Sequence, residues 1–321
     1  MTMKTAVITG AGSGLGFECA RALLARDESW HVVLAVRSPQ RGAEAVAALG
    51  EPKRCTVVEC DLASLKSVHA FVDHVRAATE LPPLHAIVCN AGVQVLSGTG
   101  TTAEGFEMTF GVNHLGHFAL VQGFLGGQER SDPGNVGDQL ARPARIVVVS
   151  SGTHDPAKHT GMPAPAYTRA ADLLYPPRDD GELTPAAGRR RYTTSKLCNV
   201  LYAYELDRRL GHGAQDITVN TFDPGLMPGS GLARDYPPLQ RLAWRYLMPL
   251  MRVFPQVHST RASGRHLAAL AADRRFEGVT GHYFEALKPI QSSADSYDRG
   301  KALDLWQTSA HLVSEGAPDA R

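Results

Sequence analysis

Long apolar runs are missing from this chain. No uninterrupted stretch reaches the roughly 20 residues that a bilayer-spanning helix needs, so an integral membrane segment is not expected. A charge excess of one sign is missing too. The 33 Lys+Arg stand against 32 Asp+Glu, a formal net charge of +1, with no acidic or basic block. That balance gives no footing to a nucleic-acid partner, whose phosphates require a basic face. Cysteine is scarce: the five are Cys19, Cys55, Cys60, Cys89 and Cys198, an odd and scattered set. Such usage argues against a disulfide framework and fits reduced thiols, so a cytoplasmic protein is expected. No Cys/His group has zinc-site spacing and HExxH is absent, so no metal is expected. Only Met1-Thr2-Met3-Lys4 precede the first candidate strand, which leaves no room for a signal peptide.

What is present is ordinary globular composition, 43% hydrophobic and 20% charged over 321 residues. A chain of this length can bury a large core, and α/β folds often run this long as one unit. Apolar, β-branched runs at 6–9, 31–36, 54–59, 86–89, 145–149, 217–221 and 279–284 read as strands. Helical patterns lie near 14–26, 40–49, 64–78, 102–124, 190–210 and 259–272. The alternation predicts an α/β fold: a single Rossmann-type doubly wound sheet of about seven parallel strands with helices on both faces. One domain is expected over 1–314, with a flexible tail at 315–321. Three segments interrupt the pattern. Residues 126–143 read as a surface loop, 152–188 are rich in Pro, Asp and Arg, and 227–255 mix prolines with an apolar cluster. The third carries Trp244, Tyr246 and Phe254, against plain core packing for those rings, and is read as a substrate lid around 226–254. Its stretch 239–253, with Arg241, Arg245 and Arg252, could also rest on a membrane surface, although a lid helix is the simpler account.

Two features carry chemistry. Thr9-Gly10-Ala11-Gly12-Ser13-Gly14-Leu15-Gly16 follows the first apolar strand. Glycines there let the backbone approach a pyrophosphate, and the helix start offers free N–H groups and partial positive charge. The bland reading is a tight strand-to-helix turn that binds nothing. At the end of the second strand no carboxylate stands at Ala35 or Val36, where an NAD site usually holds the ribose hydroxyls. Arg37 stands next, with Arg41 a weaker second candidate, and a guanidinium there suits a 2′-phosphate. That points to NADP(H), against a merely solvated arginine. Downstream, Tyr192 and Lys196 stand at i and i+4 and share one helix face. Free tyrosine ionises near pH 10, and an adjacent ammonium favours the phenolate, so the pair can move a proton. Alone, this spacing often marks only an amphipathic surface. Ser150 and Ser151 follow the apolar run Ile146–Val149, at the strand end where ligands of open parallel sheets bind.

With these motifs the chain resembles the short-chain dehydrogenase/reductase family, within it the retinol-dehydrogenase and light-dependent protochlorophyllide-reductase branch. The resemblance rests on Thr9–Gly16, Cys60–Leu65, Asn90-Ala91-Gly92, Gly111–Phe118, Tyr192–Asn199 and Pro224-Gly225, with Gly105–Met108 and Leu305-Trp306…Leu312-Val313 pointing to the branch. It implies that Gly10, Ser13, Gly14, Leu15 and Gly16 hold the dinucleotide and that Asp61 and Leu62 meet the adenine. It also implies that Asn90, Ala91 and Gly92 line the adenosine ribose. Asn113, Ser151, Tyr192 and Lys196 would form the catalytic tetrad, with Ser151 rather than Ser150 as its serine. In that scheme Asn113 supports a water relaying protons to Lys196, which also bonds the nicotinamide ribose. Pro224, Gly225 and Leu226 would touch the nicotinamide.

Two departures stand out. The interval from Ser151 to Tyr192 is 41 residues, longer than in simple members. Leu226 stands where protochlorophyllide reductases place a cysteine, although Cys198 matches theirs. His114 and His117 could be imagined as a metal pair, but no partner ligands accompany them. The expected activity is NADP-dependent interconversion of an alcohol and a carbonyl on an apolar small molecule. The alternatives are reduction of a carbon–carbon double bond, or a catalytically idle NADP-binding sensor or scaffold. The expected assembly is a monomer or homodimer.

Overall fold

The computed structural model describes residues 2–26, 29–96, 98, 100–126, 140–175, 183–227 and 259–315. The strands are β1 (Lys4–Thr9), β2 (Trp30–Val36), β3 (Cys55–Glu59), β4 (Leu84–Cys89), β5 (Leu140–Val149), β6 (Ile217–Asp223), β7 (Tyr283–Glu285) and β8 (Lys288–Ile290). The helices are α1 (Gly14–Leu24), α2 (Pro39–Leu49), α3 (Leu65–Ala77), α4 (Gly116–Leu125), α5 (Pro185–Arg209), α6 (Thr260–Ala272) and α7 (Arg299–Glu315). One sheet of eight strands runs in the order β3-β2-β1-β4-β5-β6-β7-β8. The pairings through β7 are parallel and only β7–β8 is antiparallel, so the expected doubly wound sheet of about seven parallel strands is present.

Strand alternation divides the core. Val7, Val33, Ile87, Ile146 and Val148 point to a layer shared with Phe71 of α3, Phe118 of α4, Leu197 and Leu201 of α5 and Trp306 of α7. Ala6, Ile8, Leu34, Val88 and Val147 point the other way, onto Cys19 and Leu23 of α1 and Leu267 and Leu270 of α6. Both faces are therefore apolar, as a parallel sheet covered on both sides requires. Burying each Val, Leu or Ile contributes about 1.5–3 kcal/mol.

Several boundaries differ from the sequence expectation. The helix expected over 102–124 begins only with a turn at Met108–Phe110, passes through a π-helical turn at Gly111–Leu115, and continues as α4. Thr101 instead bridges Glu107 in antiparallel fashion, Gly105 is left-handed, and Glu107 accepts the Phe110 N–H at 2.7 Å to start the helix. The loop expected over 126–143 ends earlier, because 140–143 belong to β5. Within 152–188, short 3-10 turns form at Gly152–His154, Pro156–Lys158 and Ala170–Leu173. Helix α5 then starts ahead of residue 190 because Thr184 caps it and Pro185 suits a first helical position. The last expected strand, 279–284, is irregular up to His282, since Gly281 is left-handed and Asn220 Nδ2 donates to Val279 O. The lid proper and the tail beyond Glu315 lie outside the described residues.

Candidate active site

The carboxyl ends of the parallel strands carry the expected residues. After β1, Gly10 and Gly14 adopt φ of 67° and 60°, which other residues resist. A Cβ on Gly16 would lie 2.6 Å from Asn90 Nδ2 and 2.7 Å from Gly10 O, so no side chain fits there. Ser13 is the extended N-cap residue of α1, its side chain makes no capping bond, and the first turn holds no acidic residue. The leading N–H groups of α1 thus lack a side-chain acceptor from their own cap, and an anion fits that end.

This turn is laced to β4. The Thr9 hydroxyl accepts Asn90 N–H at 2.9 Å and Ala91 N–H at 3.0 Å, and Asn90 Nδ2 donates to Thr9 O at 2.8 Å. The single hydroxyl proton of Thr9 faces His117 Nε2 at 2.9 Å, with Val88 O farther away at 3.3 Å. His117 Nδ1 lies 3.1 Å from Asn113 O, an acceptor only, so the proton sits on Nδ1 and Nε2 accepts from Thr9. Burial chiefly, with the nearby Lys196 charge adding, holds the His117 pKa down at about 4, against the Asn113 bond that raises it. His114 Nε2 lies 2.8 Å from Ser309 Oγ. Both imidazoles are thus engaged in packing networks.

Asn113 sits in the π-helical turn. Its Oδ1 accepts Val93 N–H at 2.7 Å, and its Nδ2 donates to Val93 O at 3.0 Å and to Ser195 Oγ at 2.9 Å. The carboxamide therefore fixes the segment after β4 against α5. On α5, Lys196 is buried, its Nζ donating to Val149 O at 3.2 Å and standing 5.6 Å from the centre of the Tyr192 ring. Burial lowers the Lys196 pKa to about 8, with the Asp223 carboxylate opposing. Asn199 Nδ2 donates to the same Val149 O at 3.0 Å. A Cβ on Gly92 would stand 3.3 Å from Asn113 Oδ1 and 3.6 Å from Lys196 Nζ, so Gly92 connects the β4 turn to the lysine.

The two serines after β5 differ. Ser150 is buried and donates to Lys196 O at 2.8 Å. Ser151 is half-buried, and its Oγ accepts the Thr153 N–H at 3.3 Å, which leaves its proton available to a ligand. Beyond β6, Gly225 N–H donates to Asp223 Oδ1 at 2.9 Å, Pro224 O accepts from Ser263 Oγ at 2.7 Å, and Leu226 is exposed. Arg37 is exposed at the end of β2. After β3, Asp61 Oδ1 accepts the Ala63 N–H at 3.0 Å, while Leu62 is buried. The structure thus brings the glycine turn, Asn90–Gly92, Asn113, Tyr192 and Lys196 into one contiguous group. Arg37, Asp61 with Leu62, and Leu226 stand at neighbouring strand ends.

A short chain dehydrogenase family model matches residues 4–159. The WW domain-containing oxidoreductase of Danio rerio is 36% identical over 318 residues, covering 97% of this chain and 69% of that protein. The chain belongs to the short-chain dehydrogenase family. This family member is also 34% identical to protochlorophyllide reductase B of Hordeum vulgare over 331 residues, covering 97% of this chain and 80% of that protein. Among solved structures, an uncharacterised protein from Mycobacterium Paratuberculosis superposes with a TM-score of 0.68 at 27% identity, covering 99% of this chain and 96% of that one. A metagenomic blue fluorescent protein in complex with NADPH shares the fold at a TM-score of 0.60 and 20% identity, covering 89% of this chain and 98% of that one.

Two residues of this short-chain dehydrogenase escaped sequence reasoning. Gln94 is buried, and among the described residues neither carboxamide atom has a hydrogen-bond partner, beside the Asn113-held Val93. Its signal was a polar residue within the apolar run Val93-Gln94-Val95-Leu96. His154, fully buried, lies three residues after Ser151, and a lone histidine in a loop carries no signal.

Proposed function

We propose that this short-chain dehydrogenase interconverts an alcohol and a carbonyl on an apolar small molecule with NADP(H), using Tyr192 as the acid/base. The observation that supports this best is the buried Lys196 ammonium beside the Tyr192 ring, at the strand ends adjoining the glycine turn. The turn fits a dinucleotide, because Gly16 has no room for a Cβ and the α1 N-terminus is open to an anion. Gly10, Ser13, Gly14, Leu15 and Gly16 would hold its pyrophosphate, Asp61 and Leu62 its adenine, and Asn90, Ala91 and Gly92 its ribose. Arg37 would pair with a 2′-phosphate, and Pro224, Gly225 and Leu226 would flank the nicotinamide. When bound, NADP(H) supplies or accepts the hydride.

The protein's own residues handle the proton. In reduction, Tyr192 Oη–H donates to the substrate oxygen and Tyr192 becomes a phenolate. The Lys196 ammonium stabilises that anion by charge, and Ser151 Oγ–H donates a hydrogen bond to the same substrate oxygen. Asn113 holds Val93 and Ser195 and so positions the tyrosine helix. In the oxidising direction, the Tyr192 phenolate accepts the alcohol proton. We take residues 1–314 as one domain, with residues 226–254 as the substrate lid and a monomer or homodimer as the working form.

Tyr192→Phe tests the reading. It is expected to lower kcat of NADPH-dependent carbonyl reduction by about a hundredfold or more, the usual worth of general acid catalysis. Undiminished turnover across a panel of decanal, benzaldehyde and 9,10-phenanthrenequinone would exclude the proton-transfer role. Reduction of a carbon–carbon double bond is the second reading, favoured by the 34% identity to protochlorophyllide reductase B. Leu226 at the position of that branch's cysteine weighs against it.

A further inference from the structure

Ser151 ends the strand in extended backbone and caps the 3-10 turn Gly152–His154. The imidazole of His154 turns back on that residue. Its Nδ1 lies 2.7 Å from Ser151 O, and its Nε2 accepts the Ser293 N–H at 3.1 Å. A carbonyl oxygen can only accept and a backbone N–H can only donate, so the ring state follows: the proton is on Nδ1, Nε2 is bare, and the ring is neutral. A second proton on Nε2 would face the Ser293 N–H directly. Burial lowers the His154 pKa, against the Ser151 carbonyl and the carboxylates of Asp223 and Asp155, which raise it, while Lys158 lowers it further. Lys158 itself pairs with Asp223 at 3.4 Å and Glu285 at 2.9 Å, and Tyr283 covers the imidazole at 4.9 Å between ring centres.

The far anchor is itself hydrogen-bonded. Ser293 O accepts from Ser296 Oγ at 2.6 Å, and Ser292 Oγ lies 2.6 Å from Ser296 Oγ and 2.8 Å from the Tyr204 hydroxyl. Tyr204 is on α5, the helix that carries Tyr192 and Lys196. The bonded path therefore runs from the serine turn through His154 to the 292–296 turn and back to that helix. Gly152 adds a tight fit, since a Cβ there would stand 2.9 Å from Asp223 Oδ2.

We propose that His154 is a positioning residue for Ser151: its neutral Nδ1–H holds the Ser151 carbonyl while Nε2 ties the turn to the segment after β8. The Ser151 hydroxyl is thereby kept in register with Tyr192. This rests on the reading of Ser151 as the group that holds the substrate oxygen.

The two ring nitrogens can be tested separately. His154→Asn restores a donor at the Nδ1 position, whereas His154→Gln restores only an acceptor at the Nε2 position. With NADPH and whichever of the three probe carbonyls wild type turns over, His154→Gln is expected to lower kcat by about ten- to hundredfold with KM nearly unchanged. His154→Asn should recover most of that loss. In a Ser151→Ala background, His154→Gln should cause no further loss of kcat, because its effect passes through that hydroxyl. Equal damage from Asn and Gln, or additive losses in the double variant, would overturn the proposal and leave His154 a packing residue. If Ser151→Ala alone left kcat intact, the serine's assigned role would fail instead. A readout independent of turnover is the 15N spectrum of the histidines at pH 7. His154 must show the Nδ1–H neutral tautomer, and an Nε2–H tautomer or an imidazolium overturns the assignment even if no probe is reduced.

Discussion

Replacing Lys196 with methionine should make the protein more stable and less active at the same time. The ammonium is buried, and its pKa is lowered from 10.5 to about 8 by that burial. A lysine whose folded pKa lies below its unfolded value binds its proton less well in the native state. Folding stability therefore rises as pH climbs from about 8 to 10.5, and the charged lysine costs stability below that window. The size of the cost is about 3 kcal/mol at pH 7. Methionine fills a similar volume without charge. It leaves Val149 O satisfied, because Asn199 Nδ2 still donates to it at 3.0 Å. Urea unfolding of the cofactor-free protein at pH 7 should show Lys196→Met more stable by up to about 3 kcal/mol, with the difference vanishing by about pH 10.

The same ionisation should appear in catalysis. With a pKa of about 8, the cationic fraction falls roughly tenfold between pH 7 and pH 9, and carbonyl reduction should fall with it. Lys196→Arg keeps its charge and should lose this break, at a lower absolute rate. A Lys196→Met variant less stable than wild type at pH 7 would refute this cost of burial. So would the same fall above pH 8 in Lys196→Arg. Either result would mean that the ammonium is held by favourable contacts rather than retained against the cost of burial.

Gln94→Leu should leave the cofactor-free protein as stable or raise its stability by about 1–3 kcal/mol, because both buried carboxamide atoms lack partners among the described residues. Urea denaturation reads this, and a clear loss would refute the unpartnered state. Arg37→Ala should weaken NADPH binding by about ten- to hundredfold and leave NADH binding unchanged, the range expected for a charged hydrogen bond to phosphate. Equal weakening of both nucleotides in a fluorescence titration would remove Arg37 from 2′-phosphate recognition.

What could be read in the sequence depended on the reach of each interaction. The glycine turn was legible because strand end, cradle and helix start lie within one short run, and the turn geometry is local. Tyr192 and Lys196 were legible because helical spacing alone puts them on one face. Helix α7 also left a periodic trace in the buried Ala302, Leu305, Trp306, Ser309 and Leu312, although only Leu305, Trp306 and Leu312 entered the sequence reading, through the branch resemblance. The π-helical turn left no trace, since 102–124 looks like one unbroken apolar helix. Strand β8 has three residues and a central proline, too little for a period-2 signal.

The pairings that hold the site together were invisible for a different reason. Thr9 meets His117 across 108 residues, Asn113 meets Ser195 across 82, and Lys196 meets Val149 across 47. No local pattern encodes such pairs, because each half is an ordinary buried polar residue until the other arrives. Yet these contacts fix where the glycine turn, the segment after β4 and the lysine stand relative to one another. The motifs name the reacting groups, whereas the long-range polar bonds decide whether those groups face one another. It follows that a variant at His154 should alter catalysis through geometry while leaving every recognisable motif residue in place.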